Sequence, residues 1–159
     1  MNNKITESRC SYEVCKLLKV KGFQVPTELY YTGDGKLNFK VEDSHGNERE
    51  YLFDYTDFFD NWNQRGLLIG KNDGIGFKHF SAYSCPTHAV AIKWIMENFR
   101  IMLFPAYNYH DGFHFGYEWT HFNGNCGSIW KDNDTDCSGC DTLDEATEYA
   151  ITYTLQNLI

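Results

Sequence analysis

The sequence predicts an α+β fold: a mostly antiparallel sheet with N-terminal, central and C-terminal helices packed mainly on one face. Three observations carry this reading. Residues 142–159 show helical apolar periodicity behind a capping signal. Residues 100–122 alternate as paired strands do, about an Asp-Gly turn. The order helix, strands, helix, strands, helix lacks the strand–helix–strand alternation of a parallel sheet. At 159 residues the chain is expected to be a single domain, 1–159, long enough to bury a real core.

The C-terminal stretch is the organising element. Thr142 followed three residues later by Glu145 forms a capping box. Asp144, Glu145 and Glu148 complement the positive end of the helix dipole. Leu143, Ala146, Ala150, Ile151, Tyr153, Leu155 and Leu158 share one arc, with Glu145, Glu148, Thr152 and Gln156 opposite, the pattern of a helix laid on a sheet.

Upstream, Thr6 reads as the N-cap of a first helix running to about Lys21, with Cys10, Val14, Leu17 and Leu18 as its buried stripe and Gly22 as its stop. Strands follow at 29–31 and 37–41 about the turn Gly33-Asp34-Gly35, and at 51–53. Residues 54–80 are not readable as elements, and Gly66, Gly70, Gly74 and Gly76 mark a loop region. Pro86 opens a central helix to about Asn98. Asp111-Gly112 then predicts a two-residue hairpin turn, whose register puts Met102, Phe104 and Ala106 on one face with Phe115, Tyr117 and Trp119. That face is expected against the C-terminal helix. A short third strand is expected at about Ser128–Lys131.

The net charge of −8 is unevenly placed. The first hundred residues carry 13 basic and 13 acidic side chains. Residues 101–159 carry Lys131 against Asp111, Glu118, Asp132, Asp134, Asp136, Asp141, Asp144, Glu145 and Glu148. An acidic third of this kind is repelled by phosphate backbones, so direct nucleic-acid binding is not expected. Aromatic residues make up 17% of the chain, which argues against a disordered chain and leaves Tyr and Trp side chains to spare for an interface. Residues 1–22 lack the apolar core of a signal peptide, and no apolar run reaches transmembrane length. A cytoplasmic protein without a membrane anchor is expected.

Metal-ligand grammar appears once, in Cys137-Ser138-Gly139-Cys140. Cys126 and His121 upstream complete a Cys3His zinc set on paper, and ordinary loop thiols are the competing reading. A thioredoxin-like role for this CxxC conflicts with the flanking Asp136 and Asp141, which oppose thiolate formation. Residues 132–136 resemble the start of a calcium loop, but Cys137 stands where such a loop needs Gly and Leu143 where it needs Glu. His110 and His114 bracket the Asp-Gly turn on opposite faces, and His88 reads as a surface residue. Cys85 precedes a helix but has no marked base. No catalytic residue is marked, so an enzyme is not favoured, and zinc is the one cofactor the sequence suggests.

Some short patterns resemble a group of small proteins from prophages and conjugative elements of gut bacteria. They are Lys21-Gly22-Phe23, Thr27-Glu28-Leu29-Tyr30-Tyr31, Pro86-Thr87, Lys93-Trp94-Ile95, Glu145-Ala146 and the closing Leu155, Leu158 and Ile159. The resemblance covers most of the chain, rests on helix ends and core positions, and carries over no catalytic residues. It implies a non-enzymatic accessory protein of a phage or mobile element that binds a host or element protein. Asp132, Asp134, Asp136 and Trp130 are the contact residues such a role suggests; a solvated acidic face is the competing reading. The alternative function is a small enzyme or metal-binding protein using the Cys126, Cys137 and Cys140 region.

Overall fold

The structure is a computed structural model that describes residues 7–39, 62–65, 67–70, 77–108, 114–131 and 139–159. Helix α1 spans Tyr12–Val20 and is capped by Ser11, whose hydroxyl accepts the Val14 N–H at 3.4 Å. It ends in a Schellman arrangement. Gly22 has φ +86°, its N–H donates to Lys19 O, and the next N–H, from Phe23, donates to Leu18 O. The helix begins later than the expected Thr6, which lies outside the described residues. Residues 8–10 spend their backbone groups on a neighbouring segment instead: Cys10 N–H donates to Pro86 O and His88 N–H to Ser8 O, each at 3.0 Å. A backbone committed to an extended bridge cannot also close a helical turn.

Strands β1 (Leu29–Thr32) and β2 (Leu37–Phe39) pair about the turn at Gly35, whose φ is +80°. A four-residue helix, α2 (Trp62–Arg65), brings Trp62 to stack on Tyr30 at 4.2 Å, with its indole N–H donating to Thr27 O. Strands β3 (Leu67–Gly70) and β4 (Phe77–Phe80) form an antiparallel pair of their own, within the stretch that the sequence left as glycine-punctuated loop. Strand β5 (Ala82–Cys85) joins β1, giving the sheet order β2-β1-β5. The expected strand at 51–53, like the rest of 40–61, lies outside the described residues.

Helix α3 covers His88–Phe99, with Thr87 as N-cap. Pro86 therefore precedes the cap rather than occupying the first turn, because its carbonyl is held by Cys10. The helix stops at Arg100, a left-handed residue with φ 60° whose N–H returns to Met96 O. Strands β6 (Ile101–Asn108), β7 (His114–His121) and β8 (Cys126–Ile129) form a second three-stranded sheet in sequence order. Strand β8 lies two residues earlier than expected.

The hairpin register differs from expectation by one residue. Leu103 pairs with Trp119, Pro105 with Tyr117 and Tyr107 with Phe115, so Met102, Phe104 and Ala106 lie on the other face. A one-residue slip exchanges the faces of a strand. The observed pairing is the one that buries Ile101 and Leu103 with Tyr117 and Ile129 and leaves Phe104 and Glu118 exposed. The Asp111-Gly112 turn lies outside the described residues.

Helix α4 (Leu143–Asn157) is capped by Thr142, whose hydroxyl accepts the Glu145 N–H. It packs on α1, α3, β6 and β7, and Tyr117 and Thr147 share a 2.8 Å hydroxyl hydrogen bond. Ala146, Ala150, Ile151 and Leu155 are buried in a core that also contains Cys10, Leu18, Trp94 and Leu103, while Leu143 is exposed. The class is α+β as expected. Its described ladders are all antiparallel but divide into three sheets rather than one. No helix among the described residues is long and apolar enough to cross a membrane.

Candidate functional site

The bridge between residues 8–10 and 86–88 decides where chemistry gathers. It sets Cys10 beside the first residue of α3, His88. The Cys10 carbonyl accepts from three side chains: the Cys15 thiol at 3.7 Å, the Cys85 thiol at 3.5 Å and the Tyr31 hydroxyl at 3.4 Å. Both backbone groups of Cys10 are therefore occupied. Glu148 arrives from α4, which packs on α1. Its Oε2 lies 2.8 Å from His88 Nε2, and its Oε1 accepts the Ser11 N–H at 2.9 Å.

The thiol sulphur of Cys10, a ring nitrogen of His88 and a carboxylate oxygen of Glu148 all lie within 4.8 Å of one another. Among the described residues this is the one such cluster of three. Burial pushes the Cys10 thiol well above its ordinary range, and the nearby Glu148 carboxylate and Cys85 push it further. Burial also acts to raise Glu148, but hydrogen bonds from His88 and Ser11 outweigh it and hold this carboxyl below the usual range. The Ser11 N–H belongs to the capping residue of α1, so the carboxylate also meets the positive end of that helix. Tyr31 is pushed up to about 12, first by burial and then by Cys85 and Cys15, so it stays a hydroxyl donor to the Cys10 carbonyl at neutral pH.

This arrangement suits an ion better than a covalent nucleophile. Cys10 is fully buried and its thiol is held protonated, the opposite of an activated cysteine. One sulphur, one imidazole nitrogen and one carboxylate oxygen form a donor set that a borderline-soft divalent ion such as zinc accepts. A bound cation supplies the charge that draws the proton off the thiol. The Ser11 N–H on Glu148 Oε1 fixes that carboxylate in the way an outer-shell hydrogen bond fixes a metal ligand, while the three donors on the Cys10 carbonyl hold the backbone of residue 10.

The residues singled out by spacing are placed differently. Cys126 is exposed on β8 opposite Thr120, and Cys140 is buried, bridged to Phe115. Five strand steps separate those two partners on β7, a span of about 17 Å, too far for one ion. His121 follows Thr120, so it faces the other side of the sheet from Cys126, and its Nδ1 accepts the Asn123 N–H at 3.1 Å. The structure does not gather these three. Trp130 is half-buried, its ring lying over Gly116 so closely that a Cβ there would sit 2.4 Å from it. Cys137, Asp132, Asp134 and Asp136 lie outside the described residues, as does His110.

Cys10, His88 and Glu148 were each assigned a plain role by the sequence: helix stripe, surface and polar face. His88 is half-buried instead, because the bridge draws the start of α3 against residues 8–10. For Glu148 a signal was present. Seven residues before Leu155, it falls about 20° from that core position around the helix, on the border of the apolar arc rather than opposite it. No sequence signal joins the three, since the pairing of 8–10 with 86–88 is a tertiary event.

Fold and site together define an α+β chain with a buried sulphur, nitrogen and oxygen donor cluster where α1, α3 and α4 meet. Compared with known protein families, with curated proteins and with solved structures, the chain matches none.

Proposed function

We propose that this chain is a non-enzymatic metal-binding protein that holds one zinc-class divalent ion between Cys10, His88 and Glu148. The observation that carries this reading is the approach of three different donor atoms, from the segment before α1, the start of α3 and the body of α4, to within 4.8 Å of one another. The test is direct. Metal-free protein is titrated with Zn²⁺ or Co²⁺ and uptake is measured by elemental analysis after gel filtration. About one equivalent is expected, with Cys10→Ser and His88→Ala each abolishing it and Cys126→Ser leaving it unchanged. Uptake that survives Cys10→Ser would refute the assignment.

A second reading, an accessory protein of a phage or mobile element that binds a host or element protein in the cytoplasm, draws support from a different observation. Phe104 and Phe122 are 43% and 58% exposed. Tyr107 is 48% exposed as well; Phe104 and Tyr107 lie on β6 and Phe122 in the turn after β7, aromatic side chains of the kind enriched at protein interfaces. Asp132, Asp134, Asp136 and Trp130 are the further contact residues of this reading. A protein partner rather than nucleic acid fits the acidic third of the chain. Affinity purification should capture such a partner, with affinity falling in the triple Asp→Lys variant at 132, 134 and 136 or in Phe104→Ser; capture of no protein would exclude the reading, and unchanged affinity in every variant would remove these contact residues from it. The two readings are compatible, since their residues do not overlap.

A further inference from the structure

Burial falls across the cluster in one direction. Cys10 is fully buried, the His88 side chain is 12% exposed and the Glu148 side chain 25%. An ion held by all three has its thiolate ligand at the inner end and its remaining coordination position on the solvent side. Three protein ligands leave a tetrahedral ion one open corner, the arrangement that separates exchangeable zinc sites from closed structural ones.

The charge at that corner is set by the same residues. A divalent ion, one thiolate, one carboxylate and one imidazole sum to a neutral centre. Two helices begin there. The nine-residue α1 aims the N–H of its cap, Ser11, at Glu148, and the twelve-residue α3 starts with His88 itself. Both present the positive ends of their dipoles. A neutral centre in a positive local field favours an anion over a neutral molecule as fourth ligand.

We infer that the Cys10–His88–Glu148 centre carries an exchangeable fourth ligand on its solvent side and that this position takes small monoanions with a single donor atom. This rests on the metal-binding reading above and specifies the ligand of the same site. Cobalt(II) is the probe, because its visible absorption reports both coordination number and ligand exchange, and azide is the anion. In the cobalt-loaded full-length chain, azide should shift the visible bands saturably, with one equivalent bound per cobalt. In Cys10→Ser the sulphur-to-cobalt band and the azide response should vanish together. Tetrahedral cobalt bands that ignore azide would mark a closed centre and overturn the inference while leaving the metal reading intact. An azide response that survives Cys10→Ser would place the cobalt elsewhere and also overturn it. Absence of any cobalt bands would overturn the metal reading itself.

Discussion

The junction of α1, α3 and α4 and the outer end of the β6–β7–β8 sheet both carry thiols and histidines, yet they bring those groups together in opposite ways. In the sheet, Cys126, Cys140 and His121 are near in sequence. The ladder nevertheless holds Cys126 and Cys140 at separate points along β7 and turns His121 to the other face. At the junction, Cys10, His88 and Glu148 are 60 or more residues apart, and a two-strand bridge and a helix contact draw them together. Strand geometry spreads neighbouring residues along about 3.3 Å per step and alternates their faces, whereas helix ends meeting at one point converge. Ligand spacing in sequence is therefore informative in loops and turns and much less so along a strand.

This contrast can be broken or sharpened in five ways. The largest effect is expected from Ile151→Ala, which empties the core that both regions share; it should cost roughly 2–5 kcal/mol in denaturant unfolding. A loss of less than 1 kcal/mol would mean that α4 does not organise the two halves. Next, zinc at a hundredfold its dissociation constant should stabilise the protein by about 2.7 kcal/mol. That gain should be absent in Cys10→Ser and present in Cys126→Ser, read as a shift in Tm. Equal gains in both variants would erase the distinction between the regions.

Gly116→Ala probes the sheet end alone. Its Cβ meets the Trp130 ring, and displacing that ring should cost about 1–3 kcal/mol without changing zinc uptake. A neutral substitution would show that Trp130 moves freely. Thr142→Ala removes the hydroxyl that accepts the Glu145 N–H, with an expected loss of about 1 kcal/mol.

The last prediction concerns pH. Glu148 is held below the usual carboxylate range in the folded protein, so its contribution to stability is complete above the unfolded value of about 4.3. It is lost as pH falls through the lower folded value. Glu148→Gln should flatten this acid limb in the metal-free protein; an unchanged limb would show that other carboxyl groups set it.

Much of the architecture was legible because it is locally encoded. Thr142 caps α4 through its own hydroxyl, while the Glu145 carboxylate, expected to return to the Thr142 N–H, pairs with Lys131 at 2.6 Å instead; Gly22 stops α1, and Gly35 turns β1 into β2. What escaped was decided by long-range contacts. The start of α1 moved from Thr6 to Tyr12 and that of α3 from Pro86 to His88, because the intervening residues bond to each other. The hairpin register followed burial of Ile101 and Leu103 rather than the Asp-Gly signal. Strands β3 and β4 lie in register on either side of Asp73-Gly74, a hairpin signal of the same kind as Asp111-Gly112, which the reading of 54–80 as glycine-punctuated loop passes over. The candidate site was hidden for the same reason as the helix starts, since one bridge produced both.

The joint at Cys140 has an engineering consequence. Residue 131 would be the next position of β8 opposite Phe115, but Cys140 takes that place, and the Gly139 N–H donates to Lys131 O at 2.8 Å. One line of the sheet is thus spliced from two pieces of chain whose ends are pinned together. The two ends that 132–138 joins are held at a fixed separation, so the loop-closure cost of added length between them is about 0.6 kcal/mol for each doubling. An epitope or a fluorescent reporter inserted between residues 134 and 135 should leave Tm within a few degrees of wild type. This makes the splice the natural point of attachment for following the chain in cells without disturbing the helix junction.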